Sequence, residues 1–303
     1  MRIGIMAAGA VGAYFGARLQ AAGHDVVFFA RGQNLEALRG AGLKIESPLG
    51  DLHLKSVTAT DDPASQKPVD FVLFAVKLWD TEDAGRRIKP ICTPETRVIS
   101  LQNGIDSVDK LAPLLGNDVV VGGSAYIASV IASPGVIRHS SAFAHFNCGR
   151  LDGKPDPKLQ ALADACEAAG IKGVKVSDQM LRDLWQKFAF LVSLAGATGS
   201  TRQPLGPILA DPDTAKFFDD LMVEVVTIGR AKNVPIAEDF IEKQRAFSKT
   251  LPSGLKASLL HDLERGNRLE LDWLAGRVVA LGKELGIPTP ANQAALHQVR
   301  RRL

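Results

Sequence analysis

Hydrophobic residues in the first half of the chain fall into short β-branched runs separated by helical stretches. This alternation is typical of a parallel, doubly wound sheet. The chain opens on a strand-like run from Arg2, and an amphipathic stretch from Tyr14 to Ala22 precedes a second strand at Asp25–Phe29. Further strands are predicted at Leu43–Glu46, His53–Thr58, Phe71–Val76, Val98–Leu101, Val119–Gly122, Val136–His139, Ala144–Cys148 and Val174–Ser177, and a helix at Pro157–Ala169.

Two turn signals lie among the later strands. The dipeptides Pro134-Gly135 and Ser140-Ser141 separate closely spaced apolar runs, and residues of these types favour tight reversals of the chain. We therefore expect the later strands to form hairpins that are added to the parallel sheet.

Beyond Asp178 the apolar residues recur at helical spacing, with few strand signals. Helices are predicted at Met180–Ala197, Ala215–Lys232, Ala257–Arg265 and Leu269–Leu285. The sequence thus predicts an α/β domain over residues 1–178 and an all-α domain over residues 179–303.

The first strand runs into a turn of small residues. The turn consists of Ala7, Ala8, Gly9, Ala10, Val11 and Gly12. The dinucleotide fingerprint has glycine at its first, third and sixth places, and this chain keeps the last two while Ala7 stands at the first. Backbone N–H groups at the start of a helix favour a pyrophosphate there. We expect a Rossmann-like dinucleotide-binding domain; the alternative is a strand-turn-helix unit whose small residues serve packing alone.

The second strand ends at Arg31, where an NAD-binding fold would place an acidic residue for the ribose hydroxyls. A guanidinium is instead suited to a phosphate monoester, because it offers a planar fork of donors with a permanent charge. Arg31 therefore predicts NADP(H) as the cofactor. The alternative is a solvated loop arginine.

Polar residues also follow two other predicted strands. Lys77 comes after the strand Phe71–Val76, and Gln102 and Asn103 come after the strand at Val98–Leu101. Ligands of open parallel sheets bind outside the carboxyl ends of the strands. These residues are therefore candidates for contact with the ligand, although a lysine at such a place is also simply the polar residue that reaches the surface.

In the helical half, Lys187 begins an almost wholly apolar stretch. A protonated lysine at the rim of a cleft suits a general acid, because it holds the proton that a carbonyl oxygen needs when hydride arrives at the carbon. The alternative is a surface lysine whose stem covers apolar residues. Farther along, Glu270 and Asp272 flank Leu271 at the start of a predicted helix, where favourable interaction with the helix dipole alone could explain them.

Composition narrows the class of protein. The 303 residues are 46% hydrophobic with a net charge of +3, which is a globular composition and too mildly basic to indicate a nucleic-acid partner. The three cysteines show neither paired spacing nor a nearby histidine cluster, so we predict no disulfide framework and no metal site. We find no export signal or apolar run long enough for a membrane, and we expect a cytoplasmic protein.

These motifs together resemble the ketopantoate reductase (2-dehydropantoate 2-reductase) family over nearly the whole chain. The resemblance rests on the turn Gly9–Gly12 with Arg31, Val76-Lys77, Leu101–Gly104, Trp185–Lys187, Ser258, Glu270–Asp272 and Gly286–Asn292. It implies a two-domain, metal-free enzyme that uses NADPH to reduce a 2-oxo acid, with ketopantoate as the leading substrate.

The resemblance also implies roles for individual residues. Lys187 matches the lysine that binds and protonates the ketone oxygen, and Glu270 matches the acid that bonds a substrate hydroxyl or orients that lysine. Ser258 matches a substrate-binding hydroxyl, Asn103 an amide near the nicotinamide ribose and the substrate, and Lys77 a lysine beside the reacting centre.

Three positions depart from the family pattern. Leu191, Ala195 and Leu255 stand where asparagines are expected, which leaves fewer polar partners for a hydroxylated substrate. The hypothesis that follows is a bulkier or less polar 2-oxo acid. Two further alternatives are a regulator that senses NADPH without catalysis, and an enzyme of the same fold that oxidises a hydroxy acid or joins an amine to an oxo acid. The helical half is also expected to support a homodimer.

Overall fold

A computed structural model describes residues 1–301 of the chain. The chain divides into two compact units, of which the first is Met1–Met180 and the second begins at Leu181. The boundary predicted from the sequence, between residues 178 and 179, lies two residues before this division.

The first unit alternates strands with helices. Its strands are β1 Arg2–Met6, β2 Asp25–Phe29, β3 Leu43–Glu46, β4 Leu52–Leu54, β5 Thr58–Thr60, β6 Phe71–Phe74, β7 Arg97–Ser100, β8 Val120–Tyr126, β9 Ser129–Ser133, β10 Val136–His139, β11 His145–Gly149 and β12 Lys175–Val176. Its helices are α1 Ala10–Ala21, α2 Gly32–Ala41, α3 Thr81–Ile88, α4 Ser107–Leu115 and α5 Pro157–Ala168.

The strands form two sheets. The main sheet has the order β12-β11-β8-β7-β6-β1-β2-β5, and the smaller sheet has the order β4-β3-β10-β9. From β8 to β5 all neighbours in the main sheet are parallel, whereas β11 pairs antiparallel with β8. The first strand, β1, lies between β2 and β6, so the order of the strands reverses at β1, and ligands of such folds bind at this switch point.

Helix α1 packs unusually closely on β1. A Cβ at Gly12 would lie 2.4 Å from the Ala7 carbonyl oxygen and 2.8 Å from Ile5 Cγ2. At Gly16 a Cβ would lie 2.7 Å from both Ile5 Cγ1 and Phe28 Cε1. Small residues at these positions are therefore needed for the helix to approach the sheet, and they hold its N-terminus beside the carboxyl end of β1.

The second unit is helical. Its helices are α6 Met180–Thr201, which begins at the last residue of the first unit, α7 Leu205–Ala210, α8 Pro212–Ala231, α9 Phe240–Ser248, α10 Ser258–Glu264, α11 Ala275–Leu285 and α12 Pro290–Arg300. In α6 the hydroxyls of Ser193, Thr198 and Thr201 each donate to the backbone carbonyl four residues earlier.

The predicted fold class, an α/β first domain followed by an all-α second domain, is confirmed. Some elements were wrongly predicted. The single strand expected at His53–Thr58 is two strands, because β4 pairs with β3 in the small sheet while β5 pairs with β2 in the main sheet. The hairpin around Pro134-Gly135 belongs to the small sheet, since β10 pairs with β9 and β3. The turn at Ser140-Ser141 forms no hairpin, because β11 after it pairs with β8 and β12 in the main sheet rather than with β10.

The helix expected at Leu269–Leu285 is interrupted. A 3₁₀ turn at Leu271–Trp273 precedes α11, and Leu274 between them has φ −102° and ψ −100°, outside the helical region. Buried apolar residues nevertheless continue at helical spacing on both sides, with Leu274 and Val278 four residues apart. The spacing of the apolar residues therefore does not reveal this break in the helix. No range was predicted for helices α7, α9 and α12.

The cysteines are packing residues. Cys92, Cys148 and Cys166 are free thiols, and burial raises the pKa of each to about 12. Such thiols are weak nucleophiles at neutral pH. Within residues 1–301 no helix has the length and apolarity needed to cross a membrane. The same residues contain no group of three or more His, Cys, Asp and Glu side chains that could hold a metal ion.

Candidate functional site

The carboxyl ends of four parallel neighbours, β2, β1, β6 and β7, form one edge of the main sheet. At a spacing of about 4.8 Å per strand this edge is about 14 Å long. Backbone hydrogen bonds continue just beyond the strands: Ala8 N donates to Phe29 O at 2.8 Å, and Leu101 N donates to Phe74 O at 2.8 Å. The segments that leave the strands are therefore anchored to the sheet and to each other.

The glycine turn leads into α1 at the centre of this edge. Gly9 directly precedes α1 with φ −80° and ψ −169°, and apart from its chain neighbours no atom of residues 1–301 would lie within 4 Å of a Cβ at Gly9. The first N–H groups of a helix have no partner inside it, and the first turn of α1 carries no acidic residue. Open space over Gly9 beside these donors fits the pyrophosphate of a dinucleotide. The turn residues Ala7 to Gly12 thus fit the predicted cofactor.

Asn34 holds the turn in place. Its Nδ2 donates to the Ala8 carbonyl at 2.9 Å, and its Oδ1 accepts from Gly135 N at 2.9 Å. The side chain therefore ties the glycine turn to the β9–β10 hairpin turn of the small sheet. No local sequence pattern marks Asn34, because its partners are 26 and 101 residues away along the chain.

Arg31 lies at the carboxyl end of β2, directly before α2. Its guanidinium is exposed, and Nη2 lies 3.7 Å from Oδ2 of Asp80. Asp80 ends the 3₁₀ turn Leu78–Asp80 that follows β6. No local sequence pattern indicates this pairing.

Lys77 precedes the same 3₁₀ turn, and its side chain is exposed. Strand β6 ends at Phe74 rather than at the predicted Val76, so Lys77 stands on the connecting segment instead of directly after the strand. Its Nζ lies 5.7 Å from the ring centre of Trp79, a cation–π distance.

Gln102 joins this segment to the end of β7. Its Nε2 donates to Val76 O at 3.0 Å and to Thr81 Oγ1 at 2.8 Å. The side chain is buried, whereas the next residue, Asn103, is partly exposed. A buried amide thus holds the segment that carries Lys77, and Asn103 follows it at the edge of the sheet.

In the second unit, Lys187 lies on α6 and is half-buried. Leu184 and Phe188 beside it are buried. Burial lowers the pKa of Lys187 to about 8, because the apolar surroundings penalise the ammonium. At neutral pH the side chain still carries its proton, and a donor with a pKa near the working pH is well matched to general acid catalysis.

The face of α6 that carries Lys187 is apolar in the next two turns. Leu191 and Ala195 follow at four and eight residues, and they are half-buried and buried. Phe190 continues this apolar region toward α8 and α9, with ring centres 6.4 Å from Phe218 and 6.2 Å from Phe247.

The other candidates of the second unit lie on later elements. Ser258 is the exposed first residue of α10, and Leu255 is half-buried shortly before it. Glu270 is half-buried and directly precedes the 3₁₀ turn, rather than opening a continuous helix as the sequence predicted. Asp272 in that turn pairs with Arg300 at 2.6 Å.

Comparison with known proteins shows the family of this chain. Residues 3–153 match the model of the family "Ketopantoate reductase PanE/ApbA", and residues 179–302 match the model of its C-terminal part. The 2-dehydropantoate 2-reductase of Mesorhizobium japonicum is 30% identical, with 99% of this chain and 97% of that protein covered. The chain belongs to the ketopantoate reductase family.

Other similar proteins include one without an assigned substrate. An uncharacterized oxidoreductase of Bacillus subtilis, YkpB, is 30% identical over 96% of this chain and 95% of its own length. Among solved structures, a PanE/ApbA family ketopantoate reductase from Ralstonia eutropha superposes with a TM-score of 0.90 at 34% identity, covering 100% of this chain and 98% of that chain. Membership of the family supports a ketopantoate reductase-like oxidoreductase activity.

The ketopantoate reductase fold also occurs at lower sequence similarity. D-mandelate dehydrogenase, solved with NADH and anilino(oxo)acetate, has a TM-score of 0.90 at 17% identity, with 100% of this chain and 98% of that chain covered. This likeness shows that the fold is shared, and no more.

The structure places the predicted residues in two groups. Ala7 to Gly12, Arg31, Lys77 and Asn103 share one edge of the main sheet in the first unit. Lys187, Ser258 and Glu270 lie on three separate elements of the helical unit. The residues that sequence analysis missed, Asn34 and Asp80, contact members of the first group.

Proposed function

We propose that the chain reduces 2-dehydropantoate to pantoate, a step of pantothenate biosynthesis, with NADPH as the hydride donor. The observation that carries the proposal is Lys187, a half-buried lysine whose pKa is lowered to about 8 in a chain of this family. Residues 1–178 would bind NADP(H), and residues 179–303 would bind the 2-oxo acid and form the interface of a homodimer.

The first unit's part in the proposal is to bind the cofactor. The N–H groups of Ala10 to Gly12 would hold the pyrophosphate, with the small side chains of Ala7, Ala8 and Gly9 leaving room for it. Arg31 would hold the 2′-phosphate that distinguishes NADPH from NADH. Lys77 and Asn103 would lie beside the nicotinamide ribose and the substrate. When bound, the reduced nicotinamide supplies the hydride that the carbonyl carbon receives.

The second unit's part is to bind the substrate and supply the proton. Lys187 would donate a proton from its ammonium to the carbonyl oxygen while negative charge develops there, leaving a neutral amine that solvent reprotonates. Glu270 would accept a hydrogen bond from a substrate hydroxyl or orient the lysine, and Ser258 would donate to the substrate. No step in this scheme needs a metal. The free thiols fit the cytoplasm, where thiols stay reduced, and we propose that compartment.

The proposal is tested by following NADPH oxidation over a panel of 2-oxo acids, with Lys187→Met as the matched variant. We expect ketopantoate to be reduced, and Lys187→Met to lose about 10²- to 10⁴-fold in kcat while it still binds NADPH. Tight binding of NADPH without its oxidation on any acid would instead indicate a regulator that senses the cofactor. Unchanged turnover in Lys187→Met would remove the assigned proton donor.

A less polar 2-oxo acid is the second candidate substrate. It is favoured by the apolar face that Leu191 and Ala195 present on α6, one and two helical turns beyond Lys187. A single contact in an apolar pocket changes the free energy that discriminates between two substrates by about 1–3 kcal/mol. If this candidate is correct, aliphatic or aromatic 2-oxo acids should surpass ketopantoate in kcat/KM, and Leu191→Asn should shift the preference back toward ketopantoate.

A further inference from the structure

The ion pair between Arg31 and Asp80 spans the carboxyl end of β1. Arg31 follows β2 and Asp80 follows β6, and these strands flank β1 on opposite sides. Their side chains are 58% and 39% exposed, and Arg31 Nη2 lies 3.7 Å from Asp80 Oδ2. The carboxylate of Asp80 therefore lies beside the guanidinium that we assign to the 2′-phosphate.

Helix capping does not account for Asp80. The residue occupies the N-cap position of α3, where an aspartate commonly accepts a hydrogen bond from the first turn of the helix. The Asp80 side chain makes no such capping bond. Among the described contacts, its ionic partner is instead Arg31.

The charges of this pair act differently on the two nicotinamide cofactors. A phosphate monoester carries about −1.5 to −2 charges at neutral pH, so it is attracted by Arg31 and repelled by a carboxylate next to the same guanidinium. A ribose with free hydroxyls carries no charge there, and a carboxylate can accept its hydrogen bonds. Asp80 thus opposes the selectivity that Arg31 produces.

We infer that Asp80 is a specificity-determining residue that lowers the preference of this chain for NADPH over NADH. The inference rests on the proposed function, because it takes Arg31 as the ligand of the 2′-phosphate. With both residues present, NADH is a usable cofactor, and removal of the Asp80 charge makes the chain more selective for NADPH.

The test is a set of dissociation constants for NADPH and NADH, measured by the quenching of protein fluorescence, on the parent chain and on Asp80→Asn. We expect Asp80→Asn to bind NADPH about three- to tenfold more tightly and to bind NADH within twofold of the parent. The gain should shrink as salt is added, since exposed charges are screened. Asp83→Asn is the matched control, because it removes the same charge from an exposed position on α3.

The outcomes separate the inference from the proposed function. An unchanged NADPH-to-NADH ratio in Asp80→Asn, or weaker NADPH binding, overturns the role of Asp80. An equal gain in Asp83→Asn also overturns it, since the effect would then be one of overall charge. Arg31→Ala tests the proposed cofactor separately: it should weaken NADPH binding far more than NADH binding. Equal losses in Arg31→Ala would remove Arg31 as the phosphate ligand, whatever Asp80→Asn shows.

Discussion

The side-chain amide of Gln102 donates a hydrogen bond of 2.8 Å to the hydroxyl of Thr81. Both residues are buried, and the same amide also donates to Val76 O at 3.0 Å. The Thr81 hydroxyl in turn donates to Leu78 O at 2.8 Å. One side chain at the end of β7 thus fixes the path of the segment after β6, including the backbone on both sides of Lys77.

Replacing Gln102 with Leu should destabilise the protein by about 1–3 kcal/mol, because the buried acceptors at Val76 and Thr81 lose their donor. Chemical denaturation measures this change in the free energy of unfolding. Thr81→Val is the partner variant for a double-mutant cycle. If the losses in the free energy of unfolding of the two single variants add up to the loss in the double variant, the hydrogen bond between the side chains contributes nothing to stability.

The two glycines of the turn should respond differently to alanine. Gly12→Ala forces a Cβ to within 2.4 Å of the Ala7 carbonyl oxygen, so α1 must move away from β1, at a cost of about 1–3 kcal/mol. The methyl group of Gly9→Ala would lie in open space, with no described residue other than its chain neighbours within 4 Å, so the protein should keep its stability while this group weakens dinucleotide binding. Thermal unfolding and NADPH titration of both variants check this contrast. Tight NADPH binding by Gly9→Ala would mean that the cofactor does not approach this residue.

The pKa of Lys187 predicts how activity depends on pH. With a pKa of about 8 in the free protein, the ammonium is present below that pH and is lost above it. The kcat/KM for reduction of the 2-oxo acid should therefore be constant below pH 8 and fall above it. The kcat/KM for oxidation of the hydroxy acid should rise above pH 8. Initial rates in both directions across pH 6–10 measure this, and an alkaline limb that starts well above pH 9 would contradict the assignment.

Lys187 also lowers stability at neutral pH. Its pKa is about 8 in the folded protein, compared with an ordinary value of 10.5, so the folded state holds the proton less tightly than the unfolded state. The resulting loss in the free energy of unfolding is fully present below pH 8 and disappears as the pH rises toward 10.5. Lys187→Met should therefore be more stable than the parent at pH 7, by a margin that narrows by pH 10. Urea unfolding at both pH values tests this, with the exposed Lys232→Met as control; a margin independent of pH would argue against a charge effect.

Glu224 anchors the last helix. Its buried carboxylate accepts from Ala291 N at 2.7 Å, Asn292 N at 2.9 Å and Asn292 Nδ2 at 2.7 Å. Glu224→Gln turns an NH₂ group toward one of these donors and should cost at least about 1.5–3 kcal/mol, the contribution of a hydrogen bond to a charged group. The exposed Glu242→Gln on α9 should change the free energy of unfolding by less than about 0.5 kcal/mol. Equal unfolding midpoints for the two variants would show that the buried contacts contribute little.

Much of the first unit could be predicted from local patterns. Strands β2, β3 and β10 begin and end at the predicted residues, because alternating or continuous apolar runs bounded by turn residues define a strand locally. The fingerprint likewise calls for glycine at its sixth place, Gly12, and the clash at 2.4 Å shows why a side chain is excluded there.

The contacts around the candidate site could not be predicted in this way. Asn34 reaches Ala8 and Gly135, and Arg31 meets Asp80 across β1, because the sheet order brings together segments that are far apart along the chain. No local pattern records such pairs. The same reason explains the split of the expected strand His53–Thr58, whose two parts found partners in different sheets.

The sequence alone determined the class of fold, the glycine turn after β1 and the family, since each depends on residue types at short spacing. Only the tertiary structure decided how the charges behave. It lowered the pKa of Lys187 by removing water around the ammonium, and it set a carboxylate beside Arg31. Solvation and electrostatic pairing depend on distances through space, and these are settled only when the chain has folded.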